Sequence, residues 1–242
     1  MNKKIKVSEL TIYPVKSLAG ISLETSELDD MGLKNDRRWM IVSPEGQFIT
    51  QRTVPQMALI HPSLDDDALT LSMQGMDTHV VPKTTTLSKR LSVTVWKDKV
   101  DASMLGEQTD AWLTEALGVS CCLVYIEDNE VRQCDLGFSE KGDRTGFADG
   151  FPILVISEES LEDLNQRLEE PVDMRRFRPN IVIKGCEAFA EDKLENFTIG
   201  KLGMKAVKIC SRCPLPMVDP DVGELTSQEP IATLSTYRKW DG

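Results

Sequence analysis

Short stretches in which apolar and polar residues alternate recur along most of this chain. Residues 7–13, 69–73 and 91–96 alternate at close to period two, and the first of them ends at a proline. Such alternation is typical of β-strands with one buried face. Apolar runs bounded by turn residues predict further strands, at 21–28, 38–42, 47–50, 121–126, 151–156, 181–183, 196–200 and 204–209. Many short strands with polar breaks between them indicate a β-barrel or a β-sandwich.

A few segments have helical periodicity instead. Residues 107–117 place apolar side chains on one face and end at Gly118, a residue common at helix ends. The residues of that predicted face are Ala111, Trp112, Ala116 and Leu117. Residues 158–168 repeat leucines on one face after Ser157, a good N-cap, and a short helix is expected over 229–237 with proline in its first turn. We therefore expect a mainly β protein of the α+β class with a few short helices.

One long segment fits neither pattern. Residues 127–146 are polar, rich in charge and glycine, and without clear periodicity, which predicts a long loop or lid. Arg132 and Arg144 within it either are solvated or reach a bound substrate or cofactor.

Composition limits the classes of partner. The 242 residues include 39 acidic and 28 basic side chains, for a formal charge of -11, which argues against a nucleic acid as the main partner. No apolar run approaches the roughly 20 residues of a membrane-spanning helix, and the N-terminus lacks the apolar core of a signal peptide. We therefore expect a cytoplasmic protein without a membrane partner, whose six cysteines remain thiols.

The main chemical candidate is the segment Cys210-Ser211-Arg212-Cys213. Two thiols three positions apart lie beside a cationic side chain, a setting that favours the thiolate. A zinc or iron–sulfur site needs about four ligands, and the remaining cysteines and the two histidines include no second Cys-x-x-Cys pair. A thioredoxin-like redox pair would precede a helix, which Pro214 prevents. A structural zinc module, a redox pair and two buried structural cysteines nevertheless stay open as alternatives.

Several polar residues at predicted strand ends and turns could hold an anion. Lys16 and Ser17 fall in a turn, Arg37 and Arg52 flank the predicted hairpin over 38–50, and a lysine or arginine can bind a phosphate. Taken singly, each is as well explained as a solvated surface residue. Ser157 offers free backbone N–H groups at a helix start.

A second pair of polar residues flanks Pro179. This proline is expected to hold Arg178 extended, so that Arg178 and Asn180 project on the same side of the chain. An arginine and an amide side by side can bind a phosphate and the edge of a heterocycle.

The sequence resembles the MOSC-domain proteins, in particular the YcbX type and the mitochondrial amidoxime-reducing component. Cys-Ser-Arg-Cys followed by Val-Asp-Pro-Asp-x-Gly is similar to the family's molybdenum-ligand segment. The blocks Tyr-Pro-Val-Lys-Ser, Asp-Arg-Arg-Trp, Asp-Gly-Phe-Pro and Arg-Phe-Arg-Pro-Asn also occur in the family's order, at residues 13–17, 36–39, 149–152 and 176–180.

The resemblance implies a MOSC-type β-barrel with an N-terminal β-rich subdomain. We expect residues 1–119 to form the N-terminal MOSC-associated domain and residues 120–242 the MOSC domain. Because family members usually continue with further barrel strands, we expect this MOSC domain to lack its final strands.

By the same resemblance the site binds a molybdenum cofactor, Mo-molybdopterin. Cys213, the second cysteine of the pair, is the implied molybdenum ligand, and Asp219 is a candidate acid or proton relay. Arg37 is the stronger cofactor ligand of the two hairpin arginines. The implied cofactor-binding residues are Lys16, Ser17, Arg37, Arg52, Ser157, Arg178, Asn180, Ser211, Arg212 and Cys213.

The implied activity is reduction of N-hydroxylated compounds, namely hydroxylaminopurines, hydroxylamines and amidoximes, to amines. A C-terminal ferredoxin domain with clustered cysteines, frequent in the YcbX type, does not occur here, so an external donor resembling a ferredoxin or a flavin reductase would supply electrons. Pyridoxal phosphate binding is a further possibility at the level of the family. The alternative is a molybdenum-cofactor or sulfur carrier or sensor that uses Cys213 without reductase activity.

Overall fold

A computed structural model describes residues 4–83 and 89–239 of the chain. Its strands, β1 to β17 in chain order, are Lys6–Ile12, Ile21–Leu23, Leu28–Asp29, Gly32–Leu33, Trp39–Val42, His61–Leu64, Ala68–Ser72, His79–Pro82, Arg90–Val95, Asp98–Met104, Cys122–Tyr125, Val155–Ser157, Ile181–Lys184, Asn196–Ile199, Leu202–Lys205, Val218–Asp219 and Glu224–Leu225. The helices α1 to α3 are Glu107–Leu117, Glu158–Asn165 and Ile231–Tyr237. Short 3-10 turns cover Pro55–Leu59, Met174–Phe177, Ala190–Lys193 and Leu215–Met217. The predicted class, mainly β with a few short helices, is confirmed.

A four-stranded antiparallel sheet in the order β5-β11-β10-β9 forms the centre of the N-terminal half. Both of its faces are buried, because neighbouring side chains on one strand enter two separate apolar clusters: Leu123 lies in one and Val124 in the other. The same division separates Ile41 from Met40. Burial on both faces explains why residues 39–42 form a continuous apolar run instead of an alternating one. The three-stranded sheet β6-β7-β8 and helix α1 pack against one of these clusters.

The first strand of the chain belongs to the sheet of the C-terminal half. That sheet has the order β12-β13-β1-β2, and β1 pairs antiparallel with β13 through partners such as Leu10 and Ile181. Strands β12 and β13 are parallel, and the connection between them contains α2. The two predicted domains therefore share one sheet, and the boundary at residues 119 and 120 stays a prediction.

The predicted strand 47–50 forms only isolated bridges, at Gln47 and Phe48, so β5 is the one regular strand of the predicted hairpin over 38–50. Three other predicted strands are clearly shorter than expected. The stretch 151–156 becomes regular only at Val155, because Pro152 has no N–H to donate to a ladder. The strand predicted over 204–209 ends at Lys205. One more backbone hydrogen bond, from the Ala206 N–H to the Glu195 carbonyl, extends its pairing with β14. The stretch 21–28 divides into β2 and β3. Residues 206–213, which include both thiols, are therefore irregular, and 206–209 do not continue the predicted strand.

The helices agree with prediction in place, but α2 ends at Asn165 instead of residue 168, and one residue predicted on the apolar face of α1 is exposed. In α1 the buried side chains are Thr109, Leu113 and Leu117, whereas Ala111, predicted on the apolar face, is exposed. The predicted cap of α2 is confirmed, since the Ser157 hydroxyl accepts a hydrogen bond from the Ser160 N–H. Among the residues that the structure describes, no helix combines the length and the apolar character needed to cross a membrane.

Two leucines provide a matched test of this core. Leu123 is completely buried in the central sheet, whereas 63% of Leu136 is exposed on the long loop. We expect Leu123→Ala to lower the free energy of unfolding by about 2–5 kcal/mol through lost burial and a residual cavity. The same truncation at Leu136 should have almost no effect. Chemical denaturation monitored by circular dichroism measures both, and equal losses would contradict this description of the core.

Candidate functional site

The turn after β1 directs Lys16 into the protein interior. The Lys16 N–H donates to the Trp39 carbonyl at 2.8 Å, and the Trp39 N–H donates to the Pro14 carbonyl at 3.1 Å, so the turn is fixed against β5. Ser17, at φ 68°, completes the turn and is buried, and its carbonyl accepts from the Gln51 side chain at 2.7 Å. Both predicted anion ligands in this turn therefore have fixed positions.

The Lys16 ammonium is paired with Asp149. Its Nζ lies 2.5 Å from Asp149 Oδ1 and 2.8 Å from the Phe147 carbonyl, and the indole N–H of Trp96 donates to the same carboxylate oxygen at 3.1 Å. Burial lowers the pKa of Lys16 to about 8, although Asp149 opposes the shift. Partial burial would raise the pKa of Asp149, but Lys16 and Trp96 lower it to about 2. The pKa of both partners falls because the lysine is buried while 59% of the aspartate side chain is exposed.

Arg132 holds the turn that carries Asp149. Its guanidinium donates to the carbonyls of Gly146, Ala148 and Asp149, and it pairs with Asp98 at 2.9 Å. Arg132 is thus a buried structural residue. The sequence suggested that it is either solvated or in contact with a ligand, and the structure shows neither.

The second arginine of the long loop lies elsewhere. Arg144 donates to the Asp128 carbonyl at 2.5 Å and pairs with the exposed Asp30 at 3.0 Å.

Arg37 is held by a buried polar network. Its guanidinium donates to Asp36 at 2.5 Å, to Asn180 Oδ1 at 2.8 Å and to the Arg178 carbonyl at 3.2 Å, and it lies 4.5 Å from the centre of the Tyr13 ring. The backbone of Arg37 adopts the left-handed conformation, at φ 47°.

Asn180 is the other member of this network that sequence assigned to the cofactor. Besides Arg37, its Oδ1 accepts from the Leu154 N–H at 3.2 Å, and its amide nitrogen donates to the Thr11 carbonyl and to Asp36. Two acceptor and two donor interactions use the hydrogen-bonding capacity of the amide. In this structure Asn180 therefore positions Arg37, and its cofactor contact stays a prediction.

Arg178 lies beside the same tyrosine with part of its guanidinium unpaired. Its Nη1 donates to the Leu18 carbonyl at 2.6 Å, and its Cζ lies 4.1 Å from the centre of the Tyr13 ring. Its Nη2 is buried without a hydrogen-bond partner, and burial lowers the pKa of Arg178 to about 10. The expectation of an extended Arg178 was wrong, because this residue caps the 3-10 turn Met174–Phe177 in the left-handed conformation, at φ 56°.

Arg52 lies at the outer side of this group. It is 4.4 Å from the Trp96 ring and donates from Nε to Thr50 Oγ1 at 3.3 Å. Lys16, Arg37, Arg52 and Arg178 are called the basic cluster below. Four cationic side chains around one small region, one of them with a buried unpaired N–H group, can bind an anionic group such as a phosphate.

The cysteines lie on an irregular surface segment. Cys210 is exposed, Cys213 is half-buried, and both are free thiols. Ser211 is exposed, and the Arg212 guanidinium lies 5.4 Å from the centre of the Phe177 ring. Residues 210–213 are called the thiol segment below.

The thiol segment is joined to the basic cluster through the 3-10 turn Met174–Phe177. Phe177 contacts Arg212, and Arg176 donates to the carbonyls of Pro216 and Met217, at 3.4 and 3.3 Å, just after the thiols. The next residue in the chain is Arg178 of the basic cluster. The turn therefore contacts the cysteine loop and leads directly into Arg178 of the basic cluster.

Two predicted site residues are engaged elsewhere. The Ser157 hydroxyl is fully buried and bonded to Glu191 and Ser160, consistent with a cap, and its cofactor contact stays a prediction. Asp219 Oδ2 lies 2.6 Å from Arg176 Nη2, and its Oδ1 accepts from the Asp221 N–H at 2.9 Å.

Sequence reasoning missed four contributors to the site. Asp149 and Tyr13 lie within the quoted family blocks but carry no charge or spacing signal that assigns them a partner. Arg176 also lies within a quoted block and Trp96 within a predicted strand, but their contacts with Asp219 and Asp149 join residues distant in the chain and leave no signal in the sequence.

Comparison with known proteins identifies the family. Residues 4–120 match the MOSC N-terminal beta barrel domain, and residues 142–241 match the MOSC domain. Over 97% of this chain and 72% of theirs, the mitochondrial amidoxime-reducing component 1 of Mus musculus is 39% identical and that of Homo sapiens 38% identical. The chain belongs to this family of MOSC-domain proteins.

Further relatives in the family are consistent with this. The mitochondrial amidoxime reducing component 2 of Bos taurus is 36% identical over 97% of this chain and 73% of its own. A solution structure of a Bordetella bronchiseptica protein, with a TM-score of 0.35 and 22% identity over 43% of this chain and 90% of that one, is too distant to bear on the fold or the site.

The burial of Lys16 predicts a pH dependence of anion binding. A lysine with a pKa of about 8 is protonated below that pH and becomes neutral above it. Sulfate keeps its charge over this range, so its affinity for the basic cluster should fall as the pH rises through 8. Isothermal titration from pH 6.5 to 9.5 measures this fall.

The control variant is Lys16→Met, which should bind sulfate weakly and without a step near pH 8. A constant sulfate affinity of the unmodified protein across this range would contradict the assignment of Lys16 as an anion ligand.

Proposed function

We propose that this protein is a molybdenum-cofactor oxidoreductase that reduces N-hydroxylated compounds to amines. The observation that carries the proposal is the buried, unpaired Arg178 Nη2 within a basic cluster that is tied to a cysteine loop. The names of the relatives, amidoxime-reducing components, support the reaction class. The substrates proposed are hydroxylaminopurines, hydroxylamines and amidoximes.

The basic cluster fits the anionic end of a molybdopterin. Lys16 and Arg178 have fixed positions in the interior, and Arg52 has one weak side-chain hydrogen bond at 3.3 Å. A phosphate would provide the acceptor that the Arg178 Nη2 lacks, and leaving such a group unpaired costs about 1–3 kcal/mol. Arg37, held by Asp36 and Asn180, would add charge without having to change its place.

The donor set around the thiols also fits this cofactor. In the described parts of the chain, no group of three or more histidine, cysteine or acidic side chains could hold a metal ion. A metal bound to Cys213 would therefore take most of its ligands from another molecule, and a dithiolene offers soft sulfur ligands of the kind that accompany a thiolate. Cys213, with Arg212 and Ser211 beside it, is the proposed point of attachment.

The protein side chains hold and orient the reactants. When bound, the cofactor supplies the two electrons that, with two protons, convert an N–OH group into an N–H group and water. Lys16, Ser17, Arg37, Arg52 and Arg178 bind its anionic end, while Cys213 fixes the reactive end. The electrons come from an external donor resembling a ferredoxin or a flavin reductase, and a cytoplasmic location stays a prediction.

A second candidate function is a carrier or sensor that transfers the cofactor or sulfur without reducing a substrate. The surface position of the thiol segment favours it, because the exposed Cys210 is open to a partner protein. A persulfide at Cys213, detected by intact mass and lost on reduction, would support this function.

The cysteines give a matched pair of variants for the main proposal. In a host that makes molybdenum cofactor, Cys213→Ser should lower the molybdenum content well below stoichiometric and abolish hydroxylamine reduction, since a serine oxygen replaces the soft ligand. Cys210→Ser should keep both. Elemental analysis and an assay with an artificial electron donor measure the two effects.

Retained turnover in Cys213→Ser would refute the ligand assignment. Absence of molybdenum in well-folded unmodified protein would count against the main proposal and favour a sulfur carrier.

A further inference from the structure

The loop that follows the thiols is held by consecutive residues of one 3-10 turn. Arg175 pairs with Asp221 at 2.9 Å, Arg176 contacts the carbonyls of Pro216 and Met217, and Phe177 lies against Arg212.

Arg176 makes the least exposed of these polar contacts. Only 11% of its side chain is exposed, and its partner Asp219 is 27% exposed, at an Nη2 to Oδ2 distance of 2.6 Å. Arg175 and Asp221 are 54% and 68% exposed, so water and salt screen that pair far more strongly. The Arg176 guanidinium thus joins the 3-10 turn to the cysteine loop by both a partly buried ion pair and two carbonyl contacts.

Each carboxylate oxygen of Asp219 already has a hydrogen-bond donor. One carboxylate oxygen accepts from Arg176, and the other accepts from the Asp221 N–H and so closes the turn. A general acid has to carry a proton within hydrogen-bonding reach of the reacting group. An oxygen that already faces a guanidinium or a backbone N–H is poorly suited to that task.

We propose that Arg176 and Asp219 are positioning residues that fix Cys213 relative to the basic cluster, with Asp219 acting as the counter-ion of Arg176 instead of a proton donor. The consequence for the reaction rests on the proposed function, but the positioning itself does not. Arg178, two residues after Arg176, belongs to the basic cluster, so the 3-10 turn connects this cluster to the cysteine loop.

The first test uses metal-free protein, with Cys210→Ser in every variant so that alkylation of the thiol segment reports Cys213. Arg176→Gln and Asp219→Asn should each change the rate of Cys213 alkylation by iodoacetamide about two- to tenfold, because the loop that follows the half-buried thiol loses the ion pair that holds it. The double variant should change it no further than either single one. Arg176→Lys, which keeps the charge, should restore part of the original rate.

Arg175→Gln is the matched control, because it removes the neighbouring but exposed ion pair. It should leave the alkylation rate unchanged. Thermal denaturation of each variant establishes that the comparison is made on folded protein. Unchanged alkylation in both Arg176→Gln and Asp219→Asn, or fully additive effects in the double variant, would overturn the proposal.

The second test uses the molybdenum-loaded protein and separates positioning from proton donation. If Asp219 positions the loop, Asp219→Asn and Arg176→Gln should lower kcat by similar factors and leave the shape of the pH profile unchanged. Loss of one limb of the pH profile in Asp219→Asn alone would assign it as the proton donor and overturn the proposal. If the unmodified protein holds no molybdenum, the proposed function fails while the alkylation test still decides the positioning role.

Discussion

The buried carboxylate of Asp36 is the contact on which the geometry of the site depends. It accepts hydrogen bonds from the Tyr13 N–H, from Arg37 and from Asn180, at 2.7, 2.5 and 3.0 Å. Burial raises the pKa of Asp36, and these three donors oppose that shift by stabilising the charged form. Three segments that are far apart in the chain thus meet at one charge: the end of β1, the turn before β5 and the start of β13.

The two partners of the Lys16–Asp149 ion pair differ in burial, and therefore in freedom to move. The lysine cannot leave the interior without losing its contact with the Phe147 carbonyl, whereas the Asp149 side chain is largely exposed. An incoming anion would therefore meet a cation in a fixed place and a carboxylate that is free to turn towards water. An arrangement of this kind keeps the cationic site neutralised in the free protein and leaves the cation preorganised for a ligand.

The sequence predicted what depends on local pattern and on motifs, and failed where contacts are long-range. The strands at 39–42 and 181–183, the Ser157 cap and the basic character of Lys16, Arg37 and Arg178 follow from periodicity or from the family blocks. The left-handed Arg178 could not be predicted, because a residue before proline is ordinarily extended and only the preceding 3-10 turn imposes the other conformation. The partners of Asp149 and Arg176 were equally hidden, since an ion pair leaves no trace in the spacing of either residue.

The pairing of β1 with β13 also limits when the site can assemble during synthesis. A ribosome releases Lys6–Ile12 long before it releases Ile181–Lys184, and pairing over so many residues carries a large entropic cost of loop closure. The turn that carries Lys16 leaves the ribosome long before Arg178 has been added to the chain. The basic cluster therefore cannot assemble before Arg178 has been synthesised, and a ligand that needs both residues can be bound only after that point.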